Sequence, residues 1–224
     1  MTPIVEAPPQ RPPRALRTNG RVPPPPLRTG GGDGPDRGPG RPLLDNVVLA
    51  TVFVIGGEIM LFAGLIFSFW IVRLAAPVWP PPLQPRLPVG VTAVNTVILL
   101  LSSVAMMAAG RARARGDGSA FLKHLSLTAA LGGLFLAVQG YEWLRLVRFG
   151  LTVASGVYGT TFYTLIGAHA VHVVAALAWL GFTLTLASGG RFAGPRAAAA
   201  TACALYWHFV VALWPILYVS VYLL

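Results

Sequence analysis

His169 and His172 stand three residues apart inside VYGTTFYTLIGAHAVHVVAALAWLGFTLTLA (157–187), a run without a charged side chain. On a helix this spacing puts two imidazoles on one side. Imidazole can ligate a metal, hold a haem iron, carry a proton or simply hydrogen-bond. Glu58, in VIGGEIMLF (54–62), is the second outlier. A charged carboxylate at bilayer depth costs ~2.5–3.5 kcal/mol, so such groups point to function by default. Glu58 is therefore paired with another helix, protonated and bonded elsewhere, or set in a solvated cavity. His169 and His172 lie at a compatible depth, and His169 is the favoured partner.

A third histidine, His208, sits in YWHFVVALWPILYVSVYLL (206–224). A bis-imidazole haem would need His208 facing His169 or His172 from another helix. A copper or zinc site would need three or four convergent ligands, and no thiolate cluster completes one. Hydrogen-bonded core histidines are the favoured reading. The chain has no phosphate loop and no Ser-His-Asp pattern.

These residues need helices to hold them. The 224 residues are 55% hydrophobic and only 11% charged, the balance of a membrane protein. Five apolar runs, 46–72, 89–109, 121–144, 157–187 and 197–224, each reach the ~20 residues that cross a bilayer as a helix. They are continuously apolar rather than alternating, which favours helices over barrel strands. The expected fold is all-α, a bundle of five transmembrane helices over 45–224. Short connections make neighbouring helices antiparallel. The first run begins too late, and is too long, for a cleavable signal peptide.

Residues 1–44 differ sharply, with PPPP at 23–26 and GGGDG at 30–34. Such composition cannot bury a core and is expected to be a disordered tail. The net charge of +10 is a topology signal rather than a nucleic-acid signal. With the tail cytoplasmic, only Arg73, Arg86, Arg145 and Arg148 fall on the outer side. The other basic residues fall inside, which sets the N-terminus in and the C-terminus out.

Several polar and small residues read as packing devices. Gly57 with Gly64, and Gly133 with Gly140, are spaced for close helix approach. Asn95, Thr96, Ser102 and Ser103 read as interhelical hydrogen-bonding groups. Gln139 and Glu142 share a face, and Glu142 can reach Arg145 at i+3. Trp214, Tyr218 and Tyr222 form one stripe, and Pro215 should loosen the helix beyond it. The single cysteine, Cys203, reads as a small core residue.

Taken together, IGGEIMLFAGLIFSFW (55–70), NTVILLLSS (95–103), LAVQGYEW (136–143), VYGTTFYTLIGAHAVHVV (157–174) and YWHFVVALWPILYVSVY (206–222) resemble subunit III of the haem–copper oxidases. The resemblance covers about four-fifths of the chain and fits the short, five-helix form. It implies a subunit without haem or copper of its own, those cofactors lying in the partner subunits. Subunits I and II and membrane phospholipid are the implied partners, and a larger respiratory supercomplex is compatible with them. It further implies support of proton uptake and stability during O₂ reduction, in a bacterial cytoplasmic membrane. Glu58 matches the family's carbodiimide-reactive glutamate. His169 and His172 match its paired histidines. Trp207 and His208 belong to its WHF motif, with Gln139, Glu142 and Trp214 in neighbouring motif strings. Val211 stands where the family usually has Asp. An accessory subunit of a quinol oxidase or nitric oxide reductase, and an autonomous proton-conducting protein, are the alternatives.

Overall fold

A continuously apolar chain in lipid can satisfy its backbone N–H and C=O groups only by closing them within helices. The computed structural model describes residues 45–82, 87–189 and 195–224. Its helices are α1 (Asn46–Ala75), α2 (Val89–Ala114), α3 (Gly118–Arg148), α4 (Val157–Ser188) and α5 (Pro195–Tyr218). A π-helical turn over Val219–Leu223 continues α5. All five are long and apolar enough to cross a membrane, and no strand occurs among the described residues. The expectations for the 1–44 tail, and for Arg86 and Arg191, lie outside the described residues.

Each helix starts within a few residues of its expected span, and the first four run past its expected end. α2 continues from the expected 109 to Ala114. Arg111 and Arg113 there sit favourably against the negative end of the helix, and their stems can follow it out of the apolar zone. Gly116 stops it. With φ +74 it donates to the Arg113 carbonyl at 3.0 Å, while the Asp117 N–H donates to Ala112 at 3.1 Å. This paired bonding is a Schellman end, which needs a residue free to adopt positive φ. α3 ends the same way at Gly150, with Leu151 donating to Leu146 at 3.0 Å and both leucines buried.

α5 is the centre of the bundle, packing on α1, α2 and α4, while α2 and α3 form a tight hairpin. Trp207, Trp214 and Leu217 of α5 are fully buried. α1 lies at the edge, with only Thr51, Phe62 and Phe69 buried. Pro215 has no N–H to donate and its ring crowds the preceding turn. The expected loosening takes the form of the π turn, in which Leu224 N–H reaches back five residues to Val219.

The expected small-residue packing is corrected. A Cβ at Gly57, Gly64, Gly133 or Gly140 would meet nothing within 4 Å, so these glycines face open surface. Gly132 is the close-approach position instead. A Cβ there would collide with the Trp207 indole and lie 3.1 Å from Leu177 Cδ2. Spacing alone did not distinguish them, because what selects glycine here is a bulky indole on a different helix.

Candidate functional site: polar groups inside the bundle

α1 and α4 bring Glu58 and His172 together, with Oε2 2.6 Å from Nε2 and side chains 20% and 16% exposed. The approach has ion-pair distance without the alignment of a hydrogen bond, and Oε2 has no aligned partner. At that separation a nitrogen and a carboxylate oxygen cannot both present lone pairs, so the pair holds a proton. The other ring nitrogen, Nδ1, lies 2.6 Å from the Ala168 carbonyl, one turn back on α4. A carbonyl only accepts, so Nδ1 carries hydrogen. Nε2 then either accepts from a protonated Glu58 or faces a carboxylate as an imidazolium.

The partner expected from sequence was His169, and this is corrected. His169 is 1% exposed and stacks on Trp214 of α5, centroids 5.1 Å apart at 27°. Both its ring nitrogens lack a hydrogen-bond partner among the described residues. Three residues along a helix turn a side chain by about 60° short of a full turn. That rotation aims His169 at α5 and His172 at α1. Phe62 separates them, its ring 6.4 Å from His169 and 5.1 Å from His172 by centroid, edge-on to each.

A second set of polar groups fastens α5 to α2. Trp214 Nε1 donates to Thr96 Oγ1 at 2.9 Å, and Trp207 Nε1 to Ser102 Oγ at 3.2 Å. Ser103 Oγ lies 2.6 Å from His208 Nδ1. Asn95 Nδ2 donates to the Phe135 carbonyl of α3 at 3.0 Å, and the Phe135 ring meets Trp214 edge-on at 5.0 Å. An indole N–H has no water to bond in a bilayer, and Trp207 and Trp214 both take an acceptor from α2. Asn95, Thr96, Ser102 and Ser103 thus all do what their sequence position suggested. Their partners, Trp207 and Trp214, were recognisable as motif residues but not as the donors.

His208 turns to α2, His172 to α1 and His169 onto Trp214, so neither pairing considered for a haem faces across the bundle. No three His, Cys, Asp or Glu side chains converge among the described residues. Cys203 is buried, as expected of a core residue.

The third set closes the far end of α3. Arg145 Nη1 donates to both Glu142 oxygens, at 3.0 and 3.2 Å, with the Glu142 side chain buried and that of Arg145 45% exposed. Gln139 Nε2 donates to Tyr222 OH at 3.2 Å, and Tyr218 OH to the Val89 carbonyl at 3.1 Å. The α3 groups and the tyrosine stripe therefore tie three helices at one end. Val211, 2% exposed, is packed into the core.

Comparison with known proteins identifies the family. The family model for cytochrome c oxidase subunit III matches residues 44–224. Cytochrome c oxidase subunit 3 of Corynebacterium diphtheriae is 37% identical over 180 residues, covering 79% of this chain and 87% of that protein. The protein of that name from Synechocystis is 34% identical, covering 79% of this chain and 75% of its own. The one from Sus scrofa is 34% identical over 76% of this chain and 66% of its own. With its five membrane-length helices and its polar groups turned inward, this chain belongs to the cytochrome c oxidase subunit III family.

Proposed function

We propose that this subunit III of a haem–copper oxidase works without a redox centre of its own. It packs on the catalytic subunit I beside subunit II, holds phospholipid, and supports proton uptake and endurance during O₂ reduction. The observation that carries this reading is how the membrane histidines are used. His172 is engaged by Glu58 and Ala168, His208 by Ser103, and His169 by the face of Trp214. They join helices to one another. The Glu58–His172 pair sits at the edge of the bundle, where a change in charge would be felt by a neighbour.

Two clefts favour lipid. An open cleft of about 370 Å³ between α1 and α5, lined by Ile59, Phe62, Phe209 and Ile216, suits an acyl chain. Another of about 630 Å³ has Arg73 and Trp79 at its rim, a cation and an indole suited to an anionic head group. We place the N-terminus and the tail on the cytoplasmic side of a bacterial inner membrane, on the strength of the basic-residue asymmetry.

Glu58→Gln tests the reading in the assembled oxidase. It is expected to abolish carbodiimide labelling of this chain and leave the haem spectrum of the complex intact. Labelling that persists would place the reactive carboxyl elsewhere. Vigorous proton flux through the isolated chain in liposomes would overturn the subunit reading in favour of an autonomous conductor.

A further inference from the structure

The Ser103–His208 contact leaves a hydrogen-bonding group without a partner on the bundle surface. Nδ1 of His208 is 2.6 Å from Ser103 Oγ. Nε2 has no partner among the described residues, and it is not one of the nitrogens sealed inside. Two hydrogens must be placed, one on the hydroxyl and one on the ring. If Ser103 donates to Nδ1, one N–H at Nε2 is left over. If Nδ1 donates to Ser103, both the hydroxyl hydrogen and the Nε2 lone pair are left over. The first arrangement leaves fewer groups unpaired, so Nε2 presents a donor.

This donor lies deep. His208 is 13 residues into α5, about 20 Å from its start at 1.5 Å per residue. Its surroundings are apolar. On the same side of α2 as Ser103, Leu100 and Met107 are 42% and 43% exposed, and Leu205, one turn before His208, is 36% exposed. An acyl chain offers no acceptor at that depth, because lipid carbonyls sit in the interfacial region beyond the ~30 Å hydrocarbon core. An unpaired N–H facing hydrocarbon is strongly disfavoured. A neighbouring helix with a carboxylate, amide or hydroxyl side chain satisfies it.

We propose that the α2/α5 seam around Ser103 and His208 docks a transmembrane helix of another oxidase subunit, whose polar side chain accepts from His208 Nε2. The inference rests on the subunit reading above.

The test uses the intact oxidase isolated through a different subunit. A photo-cross-linking residue is placed on the seam, Leu100→p-benzoylphenylalanine or Met107→p-benzoylphenylalanine. Adducts with another oxidase polypeptide are expected at both positions. Adducts with lipid alone, or with a second copy of this chain, would overturn the proposal. In parallel, His208→Phe is expected to lower retention of the chain in the detergent-isolated complex at least tenfold. His208→Gln, which keeps an N–H, should retain it. Equal retention of both variants would overturn the donor role. The cross-link is made with His208 in place, so it decides the docking even if His208→Phe does not fold. If the unmodified chain fails to co-isolate with the oxidase, the subunit reading itself fails. Co-isolation with lipid-only adducts defeats this inference alone.

Discussion

The Glu58–His172 pair makes opposite demands on its two members. Glu58→Gln keeps both an N–H and a carbonyl oxygen that can face Nε2, so the change should cost under about 1 kcal/mol. His172→Leu strands the carboxyl beside Phe62 and should cost about 1–3 kcal/mol. Unfolding of the detergent-solubilised chain by a graded denaturing surfactant would rank the two variants. A larger loss for Glu58→Gln would contradict the pairing. Gly132→Ala should cost about 1–3 kcal/mol by overpacking, since Trp207 is fully buried and has nowhere to move. Gly133→Ala next to it should be neutral or slightly stabilising in the same assay. The sequence marked Glu58, His169 and His172 as outliers because charge and hydrogen-bonding capacity are conspicuous among apolar residues. It could not say which histidine meets Glu58, because that turns on a rotation of about 60° and on where α1 and α5 lie around α4. One register was within reach. Trp207 and Trp214 are seven apart, their acceptors Ser102 and Thr96 six apart in reverse order, the pattern of an antiparallel seam.

Helices were the most readable level, because apolar length alone specifies them. Their ends were less so. The C-terminal glycines Gly116 and Gly150 carried that information, in a Schellman bond pattern that hydropathy does not report. At the start of α3, outside the apolar zone, the exposed Asp117 side chain accepts from the Ala120 N–H at 2.9 Å. That backbone bond, with the Ser119 hydroxyl helping, holds its carboxyl below the ordinary value of 3.8. A depressed carboxyl stabilises the folded form above its unfolded value and loses that contribution as pH falls through the folded one. Thermal unfolding in micelles at pH 6 and pH 3 should therefore show the wild type losing more stability than Asp117→Asn. The asparagine keeps a capping oxygen but does not titrate over that range. Equal losses would mean that the cap contributes nothing pH-dependent.

At the scale of the whole chain, short connections implied antiparallel neighbours, yet nothing in the sequence made α5 the hub. That role depends on Trp207 and Trp214 finding partners on α2 and α3 at once. Deleting residues 1–40 should leave insertion unchanged, because the five spans all begin later. Protease protection of the spans in membranes would check it, and loss of integration would give the tail a part in insertion. The edge position of α1 has a consequence in time. It packs chiefly on α5 and α4, both of which are made after it. Glu58 thus precedes His172 by 114 residues, on the order of ten seconds at ordinary synthesis rates. During that interval the carboxyl stands without its partner. Glu58 meets its partner only once α4 has followed α1 into the bilayer.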